Sequence, residues 1–522
     1  MRIGVDVGGT NTDAVVMDGR TVLSTHKAPT SANVSDGIIA AIREVQKAAD
    51  IDAGRISGVM IGTTHFTNAF VQRNDLLPVG VIRIAMPSTR GLPPLTDWPE
   101  DIAAVVGSAH YLIRGGYQFD GRIADPLDEQ AVAEAARDIR RQGLKTVAVT
   151  GLFSPVNADM EQRAEEIVLN EFPEAQVTVS SRIGRMGILE RENAAIMNAS
   201  LADLSASVLA SFRSALEQLR IEAPFFVSQN DGTLMSADFV EKYPVLTFAS
   251  GPTNSMRGAA YLSGLKDALV ADIGGTTTDF GMLSNGFPRE SSITVDIGGV
   301  RTNFRMPDIL AVGLGGGSLV ARDADGGIRI GPRSVGYRLR EEAKVFGGDT
   351  LCATDIAVAA GDADIGDASR VADLDAGLVK AARRRIHQML AEGVDRMKTS
   401  GDPIPLILVG GGAVLVAEQI PGTSEMIVPE HAGVANAIGA SIAQVSGETD
   451  RIFAYEAVGR EQALETAREE AIERAVAAGA DAGTLQVIEQ EEIPLAYMPG
   501  GAVRIRLKVA GELAASLTAD EG

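Results

Sequence analysis

The sequence predicts an α/β protein made of two matched halves, followed by a small α/β appendage at the C-terminus. Three observations carry this. Residues Asp6–Asp13 (DVGGTNTD) return at Asp272–Asp279 (DIGGTTTD) with six of eight positions identical, 272 − 6 = 266 residues further on. Strand-like apolar runs alternate with stretches of helical spacing through both halves. Beyond about Asp450 the chain changes to an Ala/Glu/Arg-rich helix set between short strands.

The elements follow in order. Arg2–Val7 reads as a strand, a glycine turn follows, and Ala14–Met17 and Thr21–Thr25 read as further strands around the Asp18-Gly19 hairpin signal. Ile38, Ile39, Ile42 and Val45 give a helical stripe over residues 35–49. Residues 128–143 and 159–171 also read as helices, and Thr146–Leu152 as a β-rich run between them. The second glycine turn has the same surroundings as the first: an apolar lead-in at Ala268–Ala271, then Phe280–Leu283 and a turn at Ser284-Asn285-Gly286. A repeat of this length argues for a duplicated domain. The expected limits are residues 1–185 and 186–448 for the halves and 449–522 for the appendage. In the last, 451–457, 485–488 and 503–509 read as strands and 461–478 as a helix.

Composition narrows the partners. With 47 Lys+Arg against 69 Asp+Glu the 522-residue chain carries a net charge of −22. That disfavours nucleic-acid backbone binding and adhesion to anionic membrane. At 45% hydrophobic residues there is ample material for buried cores. The single cysteine, Cys352, excludes an intramolecular disulfide and a cysteine-based zinc site. Asp6 interrupts the N-terminus too early for a signal peptide, and the apolar run Pro403–Ala417 is too short to cross a membrane. A cytoplasmic protein is expected.

The glycine turns carry the chemistry. Gly8, Gly9, Thr10, Asn11 and Thr12, and again Gly274, Gly275, Thr276 and Thr277, can bring bare N–H groups and hydroxyls to one phosphate. An acid just before such a turn repels phosphate unless Mg²⁺ lies between them, so Asp6 and Asp272 are candidate metal-facing residues. Asp13 and Asp279 close the turns; each can orient a nucleophile, act as a base, or simply cap its turn. A third element, Leu406–Ala413 (LILVGGGA), is an apolar strand ending in Gly410, Gly411 and Gly412, a surface for the flat face of a nucleoside. A helix start after it would add attraction for phosphate. There is no P-loop motif, no dinucleotide-binding glycine motif after an early strand, and no zinc-hydrolase histidine pair.

The two phosphate turns and the triple glycine, in this order, resemble the motifs of the actin-like ATPase superfamily. That implies two ribonuclease H-like domains around an ATP cleft. The stretches between them resemble the hydantoinase A/oxoprolinase family: Gly62–Ala69 (GTTHFTNA), Glu190–Asn193 (EREN) with Asn198-Ala199, Ser250–Pro252 (SGP) and Val312–Ser318 (VGLGGGS). The resemblance covers roughly residues 1–445. It implies ATP and Mg²⁺ as cofactors, a cyclic amide of the hydantoin, lactam or 5-oxoproline type as substrate, and a hydantoinase B-like second subunit. Carboxylation, or release of a stable phosphoester by a small-molecule kinase, is the alternative outcome; an ATP-driven chaperone is a third class. Within the Gly62–Ala69 motif His65 is the candidate substrate-side acid, base or donor, or else an anchor for its own loop. Ser250–Pro252 reads as a turn opening a helix, Gly313–Ser318 as a second anion loop or a domain-packing turn, and Glu489–Glu492 as solvated surface. The chain departs from the family after the Gly315–Ser318 turn, where Gly331–Gly336 (GPRSVG) leads into Tyr337–Glu342.

Overall fold

The structure, a computed structural model, describes residues 1–8, 11–29, 34–291, 294–323, 326–495, 498 and 500–514. Strands β1 (Arg2–Val7), β2 (Asn11–Asp18), β3 (Thr21–Pro29) and β4 (Gly58–Thr63) begin a nine-stranded sheet. β1 pairs antiparallel with β2 and parallel with β4, and Phe225–Ser228 runs parallel on the far side of β4. β1 and β4 are buried almost throughout, on both faces, as a central strand flanked by helices must be. On one face the helix Val34–Ala49 seats Ile38, Ile42 and Val45 against Ile3, Val5 and Val59, in one core with Leu209 and Phe212 of the helix Ala202–Gln218.

The second half repeats the plan. Ala268–Ile273 pairs antiparallel with Thr278–Ser284 and parallel with Ile404–Val409, which is followed in parallel by Thr423–Ile427. The short strand Phe287–Pro288 takes the place of β3, while Ile309–Val312 also lines Thr278–Ser284. The helix Ala376–Met397 covers this sheet through Ile386, Leu390 and Val394. Both halves therefore carry the ribonuclease H-like sheet, in the same order and with the same strand directions.

The expected boundaries are redrawn by the pairing. Phe225–Ser228 lies beyond residue 185 yet belongs to the first sheet. Between β4 and that strand the chain builds a separate parallel sheet of Gln176–Val179, Thr146–Gly151, Val79–Met86 and Gly107–Arg114, with its own core around Ile82, Ile139 and Val149.

The C-terminal α/β region extends the first sheet. Gln444–Ala454 pairs in parallel with Thr233–Ser236, and Ala502–Gly511 and Gln486–Pro494 follow outward in the same nine-stranded sheet. The cause is its buried face: Val503, Ile505 and Leu507 form one core with Met60, Phe226 and Leu234 of the first half. The helix Arg460–Ala477 closes it through Ala463, Ala467, Ala471 and Ala475, all buried at a spacing of four. At Gly447 the helix approaches so closely that a Cβ would fall 2.1 Å from the Ala471 carbonyl oxygen. Glu489–Glu492 is paired rather than merely solvated: Glu491 accepts from Arg506, and Glu492 from Arg460 and Tyr455.

No single helix among the described residues is long and apolar enough to cross a membrane. Ile188–Ser200 and Ala202–Gln218 would reach that length only as a pair bent by 52°.

Candidate functional site

The two glycine turns are built alike. In the first, the Gly8 N–H donates to the Asn11 carbonyl at 3.0 Å; in the second, the Gly274 N–H donates to the Thr277 carbonyl at 2.9 Å. Gly9 and Thr10 lie outside the described residues. The hairpin register sets Asp6 directly across from Asp13, and Asp272 across from Asp279. Glycines make room for the first acid of each pair. A Cβ on Gly62, beside Asp6 on β4, would lie 2.2 Å from Asp6 Oδ1, and one on Gly410 would lie 2.4 Å from Asp272 Oδ1. Gly410 also has φ +84°, a left-handed conformation that favours glycine.

The two pairs share one electrostatic environment. Burial first, then the carboxylates of Asp13 and Asp272, push Asp6 up to about 6, against hydrogen bonds from Asn254 and Asn436. Burial and the neighbouring Asp272 push Asp279 up to about 7. Asp272 is raised by burial and by Asp13 of the other half, and lowered by a Ser255 hydrogen bond and by Lys27. Asp6 and Asp13 are buried, and Asp272 and Asp279 are half-buried. Lys27 of β3 contacts both Asp13 oxygens, at 2.7 and 2.8 Å. Asn436 donates to Asp6 at 3.0 Å and to Asp13 at 2.9 Å, and Asn254 to Asp6 at 3.4 Å. Lys27, Asn436, Asn254 and Ser255 have no sequence signature: Lys27 stands opposite Asp13 on the neighbouring strand β3, Ser255 lies on the helix Ser250–Ser263 just before Ala268–Ile273, and Asn254 and Asn436 reach Asp6 from far along the chain.

The triple glycine packs on the second turn. The Gly412 N–H donates to the Ile273 carbonyl at 2.7 Å, and the Gly410 N–H to the Ala432 carbonyl at 2.9 Å. The helix expected after it is only a three-residue 3₁₀ turn, Ala413–Leu415, so helix-dipole attraction is absent there. Gly315–Gly317 also packs against the second turn, with Gly316 and Gly317 donating to the Gly274 and Gly275 carbonyls at 3.0 and 2.7 Å.

His65 opens the helix His65–Gln72 just after β4. Its Nδ1 lies 2.7 Å from Thr63 Oγ1, and Ser250 Oγ donates to the Thr63 carbonyl at 3.0 Å, so Gly62–Ala69 and Ser250–Pro252 meet there. Burial holds His65 below the usual histidine pKa, so the ring is neutral at pH 7. The EREN segment has a structural part. Glu192 accepts from buried Arg83, Arg191 donates to Ser180 Oγ at 3.0 Å, and Asn193 accepts from Trp98 at 2.8 Å.

Mg²⁺ takes oxygen donors, often one or two carboxylates with phosphate and water completing the shell. No cluster of three or more His, Cys, Asp or Glu able to hold a metal occurs among the described residues. The four acids, with Lys27 in contact with Asp13, fit an ion held largely by phosphate and water. A cavity of about 1150 Å³ lies elsewhere, lined by Arg185, Asn230, Arg305, Glu448 and Arg504 among others.

Fold and site together define an α/β protein with two ribonuclease H-like sheets, each carrying a glycine turn and an acid pair. The chain belongs to the hydantoinase/oxoprolinase family: residues 2–172 match the family's N-terminal region and residues 191–367 its hydantoinase/oxoprolinase domain. Caprolactamase subunit alpha of Pseudomonas jessenii is 26% identical over 369 residues, 64% of this chain and 51% of that one. The acetone carboxylase beta subunit of Xanthobacter autotrophicus is 26% identical over 396 residues, 68% and 53% of the two chains. The chain thus spans about half the length of these curated relatives. The crystal structure of the Pseudomonas jessenii ATP-dependent caprolactamase superposes with a TM-score of 0.79 over 98% of this chain and 88% of that one, at 20% identity.

Proposed function

We propose that this chain is the ATP-using subunit of an enzyme that activates a cyclic amide of the hydantoin, lactam or 5-oxoproline class by phosphorylation for ring opening. The observation that carries the reading is that the two acid pairs, Asp6–Asp13 and Asp272–Asp279, each beside a glycine turn closed by the same hydrogen bond, act on one another electrostatically. Family membership supports the chemistry. In this reading the turns grip the phosphates through their N–H and hydroxyl groups, and Gly410–Gly412 packs against the nucleoside. Asp6 and Asp272 face Mg²⁺, which would neutralise phosphate charge as it moves. Lys27 offers a cation for the phosphoryl oxygens. Asp13 and Asp279 orient the acceptor or take up a proton, and neutral His65 presents its Nε2 to the substrate.

An amide carbon is a poor electrophile because the nitrogen lone pair delocalises into the carbonyl. Attack of the amide oxygen on the γ-phosphorus forms one O–P bond and breaks another, releasing ADP. Water then adds to the activated carbon, the ring nitrogen takes a proton as the C–N bond opens to an acyl phosphate, and a second water cleaves that acyl phosphate to the carboxylate and inorganic phosphate. The transfer needs positioning and charge stabilisation more than covalent chemistry from the protein. Shielding the activated amide from bulk water favours a tightly bound second subunit, of hydantoinase B type. A carboxylase subunit is the second reading, favoured by the carboxylase relatives.

The test is to purify the chain alone and with its co-purifying partner, and to supply Mg·ATP with hydantoins, 5-oxoproline and simple lactams. Ring opening that needs the partner and consumes one ATP per ring is expected. Turnover only with bicarbonate selects the carboxylase reading, and a stable phosphoester product selects a kinase.

A further inference from the structure

Asn436 is the second residue of the helix Ala435–Ser441, more than 400 residues from the acids it touches. Its side-chain amide bridges the first acid pair, with Nδ2 donating to Asp6 Oδ2 at 3.0 Å and to Asp13 Oδ2 at 2.9 Å. Both N–H groups are thereby used. Its Oδ1 accepts the Ala437 N–H at 2.8 Å. The amide orientation follows from this: the reverse would turn an oxygen toward two carboxylates and a nitrogen toward an N–H.

The helix carrying Asn436 has no freedom to shift. A Cβ on Gly4 would fall 2.1 Å from the Ala437 carbonyl oxygen, one on Gly258 1.9 Å from that of Ala435, and one on Gly439 1.8 Å from that of Asn254. Three glycines thus seat it directly against β1 and against the helix Ser250–Ser263. On its N-terminal side, the Ala432 carbonyl accepts the Gly410 N–H. Ala432, which accepts from the triple-glycine turn, is therefore four positions before the residue that holds the first acid pair.

We infer that Asn436 is a positioning residue. It fixes the carboxylates of Asp6 and Asp13 in the one relative orientation in which both present oxygen to the cleft. The inference rests on the reading of Asp6 as metal-facing. The physical ground is general. Two carboxylates side by side repel, and each rotates freely about its Cα–Cβ and Cβ–Cγ bonds unless something outside ties it down. A donor shared between them reduces the repulsion and selects one rotamer for each. Hydrogen bonds to metal-facing carboxylates commonly govern metal affinity by about 10–100-fold. Neither Asn254, at 3.4 Å from Asp6 alone, nor Lys27, on Asp13 alone, can substitute for it.

The test compares the full chain with Asn436→Leu, which keeps the shape and removes the donor, and with Asn436→Ala should the leucine variant not fold. Thermal unfolding checks the fold. Calorimetry measures Mg²⁺ binding in the presence of saturating ADP, and ADP binding without Mg²⁺. Hydrogen exchange of the metal-free, nucleotide-free chain reads protection over residues 4–7 and 12–15. The expected result is a 10–100-fold weaker Mg²⁺ affinity with ADP affinity in its absence unchanged within twofold, and lower protection over both segments. Wild-type Mg²⁺ affinity in a folded variant would overturn the assignment, because packing alone would then account for Asn436. If the unmodified chain itself binds no Mg²⁺ with ADP, the nucleotide-site reading fails and this inference falls with it.

Discussion

Gly62 stands beside Asp6 on the neighbouring parallel strand, so close that a side chain there would meet the carboxylate at 2.2 Å and the Asn254 amide at 2.4 Å. The first acid of the site is placed by the absence of a Cβ one strand away. Gly62→Ala is therefore expected to push Asp6 out of position and to cost about 1–3 kcal/mol in stability, as overpacking does. Mg·ATP turnover should fall far more than stability. Urea unfolding and ATP consumption, measured on the same preparation, check this; an alanine variant with full turnover would contradict it.

Asp6→Asn and Asp272→Asn should each lower Mg·ATP turnover by something on the order of a hundredfold, the scale seen when one charge-stabilising contact is lost. The fold should survive, since asparagine keeps the shape and relieves repulsion between neighbouring acids. Steady-state ATPase rates with circular dichroism decide it, and wild-type rates in both variants would remove the proposed metal role.

Glu192 of the EREN segment accepts from Arg83, and both side chains are buried at about 1% exposure or less. Removing one partner leaves a buried charge unpaired, which costs about 3–5 kcal/mol. Glu192→Ala should destabilise the chain by that amount in denaturant unfolding. A loss under about 1 kcal/mol would show that water or another group takes over the pairing.

Glu290 ties remote parts of the chain together, contacting Arg185, Arg305, Arg506 and Lys508. Burial alone would raise its pKa, but Arg305, Lys508, Arg185 and Arg506 together hold it well below the usual glutamate value of 4.5. The unfolded chain then binds the proton more readily than the folded one. The stability this provides is present above pH 4.5 and drains away as pH falls below it. Unfolding free energy measured from pH 7 to pH 3 should decline more steeply in the natural chain than in Glu290→Gln. Equal slopes would contradict the assignment.

The duplicated turn was legible because it is local: the acid, the glycines and the threonine recur as a string, and the hairpin register follows from them. So was the triple glycine after an apolar strand. Lys27 was not, since a lone lysine on an edge strand carries no pattern. Asn436 meets Asp6 only through the packing of a seven-residue helix on β1. The C-terminal strands misled for a related reason. Their alternation announces a sheet, yet nothing local says that the sheet is the first one; that follows from Gln444 and Val445 pairing with Thr233 and Leu234. The EREN segment was legible only as a family motif; its structural part, with Glu192, Arg191 and Asn193 bonded to Arg83, Ser180 and Trp98, follows from tertiary packing.

The central claim is one nucleotide site shared by both halves. Hydrogen exchange with and without Mg·ATP tests it most directly. Residues 6–13, 272–279 and 410–413 should all gain protection in the presence of Mg·ATP, together and with the same concentration dependence. Protection at only one of the three segments, or at none, would contradict a shared site.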